Sequence, residues 1–158
     1  MNTGPDWNPE RPRLTDEDER VYEAEEEATM EFFFECDYPD RVEPENIEGF
    51  IRSALHGAGW TGGELPEIRL DIPDEDWRAG RFRSGPDGEW FSFHPKLLCP
   101  FTLLHEVAHW CANESGHGRK FRGAHLGLLR AGIGETAAEC FARCYTEAGL
   151  DWDRDLAE

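Results

Sequence analysis

The sequence predicts an α+β fold, and three observations lead to this prediction. Apolar residues recur at helical spacing in the first third of the chain and again in the last third. Between these regions, Ile68, Leu70 and Ile72 alternate with polar residues, which is typical of a half-buried strand. The length of 158 residues suits one domain with a single modest core.

The domain is expected to cover residues 15–150. Residues 1–14 contain three prolines among polar residues and predict a flexible tail. An acidic helix then begins at Thr15, where Asp18 three residues later resembles a capping box, and it runs to about Phe34. At the other end of the chain, residues 151–158 are expected to form a short acidic tail.

A second helix is predicted to begin after Pro44 and to end around residues 57–59. Its apolar residues lie at helical spacing: Ile47, Phe50, Ile51 and Leu55. Three further helices are predicted after residue 100, over about 101–113, 119–130 and 134–148. Gly116 and Gly118 separate the first of these helices from the second.

A hairpin is predicted in the middle of the chain. Residues 80–84 and 89–94 flank Gly85-Pro86-Asp87-Gly88, a sequence that favours a turn. Alternation places Phe91 and Phe93 on one face of the second strand and Trp90, Ser92 and His94 on the other. This second strand is a candidate sheet edge, to which an extended peptide can add.

The chain is strongly acidic, with a formal net charge of −18. Residues 1–48 hold 17 of the 34 acidic residues but only 4 of the 16 basic ones. A solvated surface is the simplest interpretation, and an acidic surface that binds a basic protein partner is the alternative. Nucleic-acid binding is not expected, because phosphate recognition needs a basic surface.

Composition also bears on location. No apolar run approaches the roughly 20 residues that a membrane helix needs, and the first 20 residues hold no apolar stretch typical of a signal peptide. The five cysteines are an odd number without a CxxC pair. Reduced thiols and a cytoplasmic location are therefore expected. Cys111, Cys140 and Cys144 are expected to pack in the core.

The sequence His105-Glu106-Val107-Ala108-His109 is an HExxH motif on a predicted helix. Two histidines four residues apart lie on one helix face, about 6 Å apart along the axis, so both imidazoles can reach one metal ion. Neutral imidazole suits Zn²⁺ in a tetrahedral site. Glu106 is then placed to accept a proton from water, while Val107 and Ala108 face the core.

The third ligand is left open between two residues. A metzincin pattern is excluded, because Ala112 and Ser115 stand where it needs glycine and histidine. His117 follows Gly116, which permits the chain to reverse toward the helix. The alternative is Glu135, since residues 135–142 resemble the ExEANxFA helix of ImmA/IrrE-type metalloproteases.

The motif His117-Gly118-Arg119-Lys120-Phe121 is an HGxxF sequence. Together with HExxH it resembles the SprT-like zinc metallopeptidases, above all the small metallohydrolases of actinobacteria and their phages, over about residues 19–150. The resemblance implies a minimal zincin-like fold with a small sheet packed on the active-site helix. It also implies His105, His109 and His117 as zinc ligands and Glu106 as the general base.

The chain departs from the larger SprT-like proteins, because it has no cysteine-rich zinc ribbon and no strongly basic segment. A role in DNA repair is therefore not favoured. The expected function is hydrolysis of a peptide or protein substrate by a zinc metallopeptidase. The alternatives are a non-catalytic, zinc-stabilised acidic interaction protein, and an ImmA-like protease that cleaves one regulator.

Other candidate residues have simpler interpretations. Tyr145 or His125 is a possible oxyanion donor, but a core position is favoured for both. Four basic residues near the motif form a candidate patch, for which a solvated surface is favoured. They are Arg119, Lys120, Arg122 and Arg130.

Overall fold

The computed structural model describes residues 15–60, 64–76 and 78–157, so the expected tail at residues 1–14 lies outside the described residues. Helices and a small sheet together confirm the α+β class. The helices are α1 (Asp16–Glu35), α2 (Ile47–Gly57), α3 (Pro100–Ala112), α4 (Arg119–Gly132), α5 (Glu135–Glu147) and α6 (Arg154–Ala157), with a 3₁₀ turn at Pro44–Asn46. The strands are β1 (Glu67–Arg69), β2 (Gly80–Gly85) and β3 (Gly88–Phe93).

The strands form a sheet in the order β1-β3-β2. β3 pairs in parallel with β1 and antiparallel with β2, with Phe91 opposite both Ile68 and Phe82. The prediction that strand 89–94 forms a sheet edge is therefore wrong. The central position of β3 leaves β1 and β2 as the edges among the described strands.

The hairpin itself is confirmed, with Pro86 and Asp87 between the two strands. Gly88 has a φ of 108°, a backbone conformation that residues with a side chain rarely adopt. Phe91 and Phe93 are fully buried, as expected of one face. Ser92 and His94 on the other face are buried as well, so both faces of β3 are covered in this part of the strand.

α3 lies at the centre of the molecule, packed against α4 and β2. It begins with Pro100 in its first turn, where the missing N–H costs no helical hydrogen bond. It ends at Asn113, whose φ of 54° is left-handed. Val107 and Ala108 are fully buried, which confirms that they face the core.

α1 packs along α5 through small and apolar side chains. Thr15 is its N-cap, and the Thr15 hydroxyl accepts a hydrogen bond of 3.0 Å from the Asp18 N–H, as the capping sequence predicts. Its buried residues are Val21, Ala24, Ala28 and Phe32. This packing lays one face of the acidic helix against the centre of the domain.

The packed domain continues past the expected boundary at residue 150. Trp152 and Ala157 are buried, and α6 packs against α4. The approach is close because residues 123 and 127 of α4 are glycines: a Cβ on Gly123 would lie 2.3 Å from the Asp153 carbonyl oxygen, and one on Gly127 would lie 2.6 Å from the Leu156 carbonyl oxygen. Residues 151–157 thus pack against the domain through Trp152 and Ala157 rather than forming a separate tail.

None of the helices in the described ranges combines the length and apolar character needed to cross a membrane.

Candidate metal centre

Three histidines meet at the centre of the molecule. His105 and His109 lie one turn apart on α3, and His117 reaches them from the loop that precedes α4. All three side chains are buried, with residue exposures of 8%, 7% and 6%. Their candidate ligand atoms lie within 4.8 Å of one another, so the structure brings together the three histidines of the HExxH and HGxxF motifs.

The spacing of the ring nitrogens fits a small cation. Nε2 of His105 lies 3.1 Å from Nε2 of His117. In a tetrahedral zinc site with Zn–N bonds of about 2.0–2.1 Å, two ligating nitrogens are about 3.3 Å apart. The two rings therefore already hold nearly the separation that shared zinc ligation requires.

Two carboxylates of α1 hold the outer nitrogens of these rings. Nδ1 of His105 lies 2.8 Å from Oε1 of Glu25, and Nδ1 of His117 lies 2.9 Å from Oδ1 of Asp18. An ionised carboxylate only accepts hydrogen bonds, so each Nδ1 carries the proton and donates. A histidine held in this way directs Nε2 at a metal ion.

His109 is held by the backbone instead. Its Nδ1 donates to the Glu114 carbonyl oxygen at 3.0 Å, just after the left-handed turn at Asn113 that ends α3. All three histidines thus use Nδ1 for a hydrogen bond to the protein. Three imidazole donors with these partners fit Zn²⁺, which accepts neutral imidazole in a tetrahedral arrangement.

The ionisation of the rings follows from burial and from Glu25. Burial disfavours the charged form and, with the neighbouring rings, lowers the pKa of His109 to about 3. The pKa of His117 is lowered for the same two reasons. Burial also opposes charge on His105, but the Glu25 carboxylate outweighs it and raises the pKa of His105 to about 9. The site therefore favours one positive charge beside Glu25.

Glu106 lies in the same cleft and contacts the edge strand. The Phe82 N–H donates a hydrogen bond to the Glu106 carboxylate. β2 approaches closely because residue 80 is a glycine, at which a Cβ would lie 3.0 Å from Cγ of Glu106. Burial raises the pKa of Glu106 above its ordinary value, against the opposing effect of His105. A carboxylate with a raised pKa is a stronger proton acceptor.

These groups line a cleft of about 1330 Å³. α1 contributes one side, residues 78–84 contribute another, and α3 carries His105, Glu106 and His109. The α1 side carries the exposed carboxylates of Glu19, Glu23 and Glu26, whereas the strand side carries Arg78, Arg81 and Arg83. The cleft is therefore open to solvent beside the histidines, with walls of opposite charge.

A buried network lies behind His105. The Tyr145 hydroxyl donates to Oε2 of Glu25 at 2.6 Å and lies 3.2 Å from Nδ1 of His125. Burial, together with Glu25, raises the pKa of Tyr145 well above its ordinary value. Neither Tyr145 nor His125 lines the cleft, in agreement with the core positions favoured from the sequence.

The alternative ligand Glu135 lies at the exposed start of α5. Its carboxylate pairs with the Arg130 guanidinium at 2.7 Å. Among the described residues it belongs to none of the groups of side chains that could hold a metal ion. Of the two candidates for third ligand, the structure brings only His117 to the HExxH histidines.

The candidate basic patch does not form one surface. Arg122 has an exposure of only 1% and donates hydrogen bonds to the carbonyl oxygens of His117 and Asp151, both at 2.6 Å. It also pairs with Glu17 of α1 at 2.7 Å. The solvated-surface interpretation is wrong for Arg122, which instead joins three segments around the site.

Comparison of the chain with family models, with curated proteins and with solved structures finds no match. The likeness to SprT-like metallopeptidases therefore remains an expectation from the two motifs.

Proposed function

We propose that this chain is a zinc-dependent metallohydrolase that hydrolyses peptide bonds. The observation that carries the proposal is the arrangement of His105, His109 and His117: each ring uses Nδ1 for a hydrogen bond to the protein, and the rings cluster within ligand distance of one ion. The cleft beside them leaves room for a substrate, and Glu106 lies in its wall.

Zinc, when bound, supplies a Lewis acid that activates water and polarises a carbonyl group. The three imidazoles hold the ion, and their hydrogen bonds to Glu25, Asp18 and a backbone carbonyl keep the rings from rotating. The Glu106 carboxylate accepts the proton of the attacking water and returns it to the leaving amine. A hydrogen bond from the Phe82 backbone favours the ionised form of that carboxylate.

The edge strand favours an extended peptide as substrate. The His94 N–H donates to the Ala79 carbonyl oxygen, so the register makes the odd-numbered residues of β2 the ones that bond to β3. The backbone groups of Gly80, Phe82 and Ser84 therefore face away from β3, and these residues line the cleft. Main-chain groups at such an edge can pair with an added strand. We assign peptide addition to β2, in place of the strand 89–94 expected from the sequence.

The two alternative functions require metal ligands other than the three histidines. A structural zinc site is closed by a fourth protein ligand, whereas the described residues supply three histidines that border an open cleft. An ImmA-like site would use Glu135, which is paired with Arg130 instead. The arrangement thus supports a hydrolase with three histidine ligands.

The test combines metal analysis with hydrolysis of a quenched fluorogenic peptide library. We expect about one zinc ion per chain, and we expect Glu106→Gln to keep the zinc but lose at least about 100-fold in hydrolysis, because an amide is not a base. Glu139→Gln, an exposed position on α5, is the matched control. A zinc-loaded wild type inactive on the whole library, or a fully active Glu106→Gln variant, would overturn the proposal.

A further inference from the structure

The acidic residues of α1 differ sharply in their surroundings. Asp18 and Glu25 are seven residues apart, which is two helical turns, so they lie on the same side of the helix. Each reaches Nδ1 of one histidine, His117 and His105 respectively. Glu35, on the same helix, is exposed. Among the many acidic residues of α1, Asp18 and Glu25 are therefore distinguished by their contacts with the histidines.

We propose that α1 is a positioning helix for the metal centre, in which Glu25 and Asp18 fix the tautomer and the orientation of His105 and His117. This inference rests on the proposed function, since it assigns these two carboxylates a role toward the same ion. Neither carboxylate is a ligand in this proposal. Each acts through the ring that it holds.

The helix is well anchored for this role. The second oxygen of Glu25 accepts the Tyr145 hydroxyl at 2.6 Å, so the carboxylate is held from both sides. Near the other carboxylate, the buried Arg122 joins Glu17 of α1 to the carbonyl oxygen of His117. Groups from α4 and α5 thus keep α1 in register with the histidines.

The hydrogen bonds determine which ring nitrogen is available to a metal. With a carboxylate on Nδ1, the proton of a neutral ring stays on Nδ1 and the lone pair of Nε2 is free. Without Glu25, the His105 ring can rotate and can carry its proton on Nε2, which blocks the ligand position. Loss of such an outer partner typically costs 10–100-fold in metal affinity.

The experiment compares Glu25→Ala and Glu25→Gln with wild type, and Glu35→Ala is the control for loss of one α1 charge. Zinc affinity is measured by competition with a chelator. The protonation of Nδ1 is measured separately in the metal-free proteins by ¹⁵N NMR of labelled histidines. Asp18→Ala and Asp18→Asn repeat the comparison for His117.

We expect Glu25→Ala to lose 10–100-fold in zinc affinity and to lose the protonated Nδ1 signal of His105. Glu25→Gln keeps an oxygen acceptor at the same place, so it should retain the Nδ1 proton and lose less than about tenfold. Glu35→Ala should match wild type in both measurements. Glutamine rescue separates positioning of the ring from general destabilisation.

The proposal is overturned if Glu25→Ala keeps wild-type zinc affinity and Nδ1 protonation, or if glutamine rescues neither. Failure of the proposed function is a distinct result. A wild type that binds zinc but hydrolyses no peptide would remove the peptidase assignment, while the NMR comparison would still decide the role of α1.

Discussion

Nε2 of His105 and Nε2 of His117 face each other at 3.1 Å, while the Nδ1 atom of each ring faces a carboxylate of α1. If both rings were neutral and carried the proton on Nδ1, the lone pairs of the two Nε2 atoms would face each other and repel at this distance. A positive charge between the two atoms turns that repulsion into attraction. On the other side of the ring, burial disfavours charge on His105, but the Glu25 carboxylate outweighs burial and raises the pKa of His105 to about 9.

The third ligand can be decided by comparing two alanine variants. We expect His117→Ala to weaken zinc binding by more than about 100-fold, because only two imidazoles remain and the loss should exceed that of an outer partner. Glu135→Ala should leave the affinity within about threefold of wild type, since it removes only an exposed pair with Arg130. Chelator competition measures both constants. If Glu135→Ala loses zinc while His117→Ala retains it, the assignment of His117 as the third ligand is wrong.

Zinc should also stabilise the fold measurably. A ligand that binds only the folded state at 100 times its Kd adds about 2.7 kcal/mol. For a chain of this length that corresponds to a rise in Tm of roughly 5–10 °C. We therefore expect excess chelator to lower the Tm of the zinc-loaded protein by this amount.

The His109→Ala variant is the control for the effect of zinc on stability. Because it lacks one of the three ring nitrogens that meet at the site, its Tm should be the same with zinc and with chelator. Differential scanning calorimetry measures both proteins. An equal zinc-dependent shift in the variant would show that the stabilising ion binds elsewhere.

Arg122 offers a test of how firmly α1 and the C-terminal segment are joined to the site. Arg122→Ala leaves the buried carbonyl oxygens of His117 and Asp151 without their donor and removes the pair with Glu17. We expect a loss of about 3 kcal/mol in the free energy of unfolding, measured with urea.

Arg143→Ala is the matched control, since Arg143 pairs with Glu31 between partly exposed side chains. A pair of that kind contributes at most about 1 kcal/mol. Equal losses in Arg122→Ala and Arg143→Ala would show that the buried hydrogen bonds of Arg122 add nothing to stability.

Local patterns predicted the helices and the hairpin because those signals lie within a few residues of one another. The central place of β3 was missed because it depends on parallel pairing with β1, which is only three residues long and lies about 20 residues away in the chain. The burial of Trp152 was missed for a related reason. The segment that follows Trp152 lies directly against Gly123 and Gly127 of α4, a close approach that periodicity cannot show.

The candidate site shows the same division. The HExxH and HGxxF motifs pointed to the three histidines and to Glu106, and the structure brings these residues to one cleft. Asp18 and Glu25 were not found, because 17 acidic residues lie in the first 48 and nothing local separates these two from the rest. Only their spacing of two turns beside the buried Val21 and Ala28 offered a signal.

Gly80 gives a test of the position of Glu106 that leaves every ligand in place. A Cβ at residue 80 would lie 3.0 Å from Cγ of Glu106 and 3.1 Å from Cγ2 of Thr102, so the neighbours must move by a few tenths of an ångström. Because catalysis is sensitive to small misplacements, we expect Gly80→Ala to lower kcat by about tenfold at unchanged zinc content. Gly85→Ala in the same strand has nothing within 4 Å of the added Cβ and should retain the wild-type kcat. Steady-state kinetics on one peptide and metal analysis of both variants decide the matter, and a Gly80→Ala enzyme with full kcat would show that β2 does not set the position of the base.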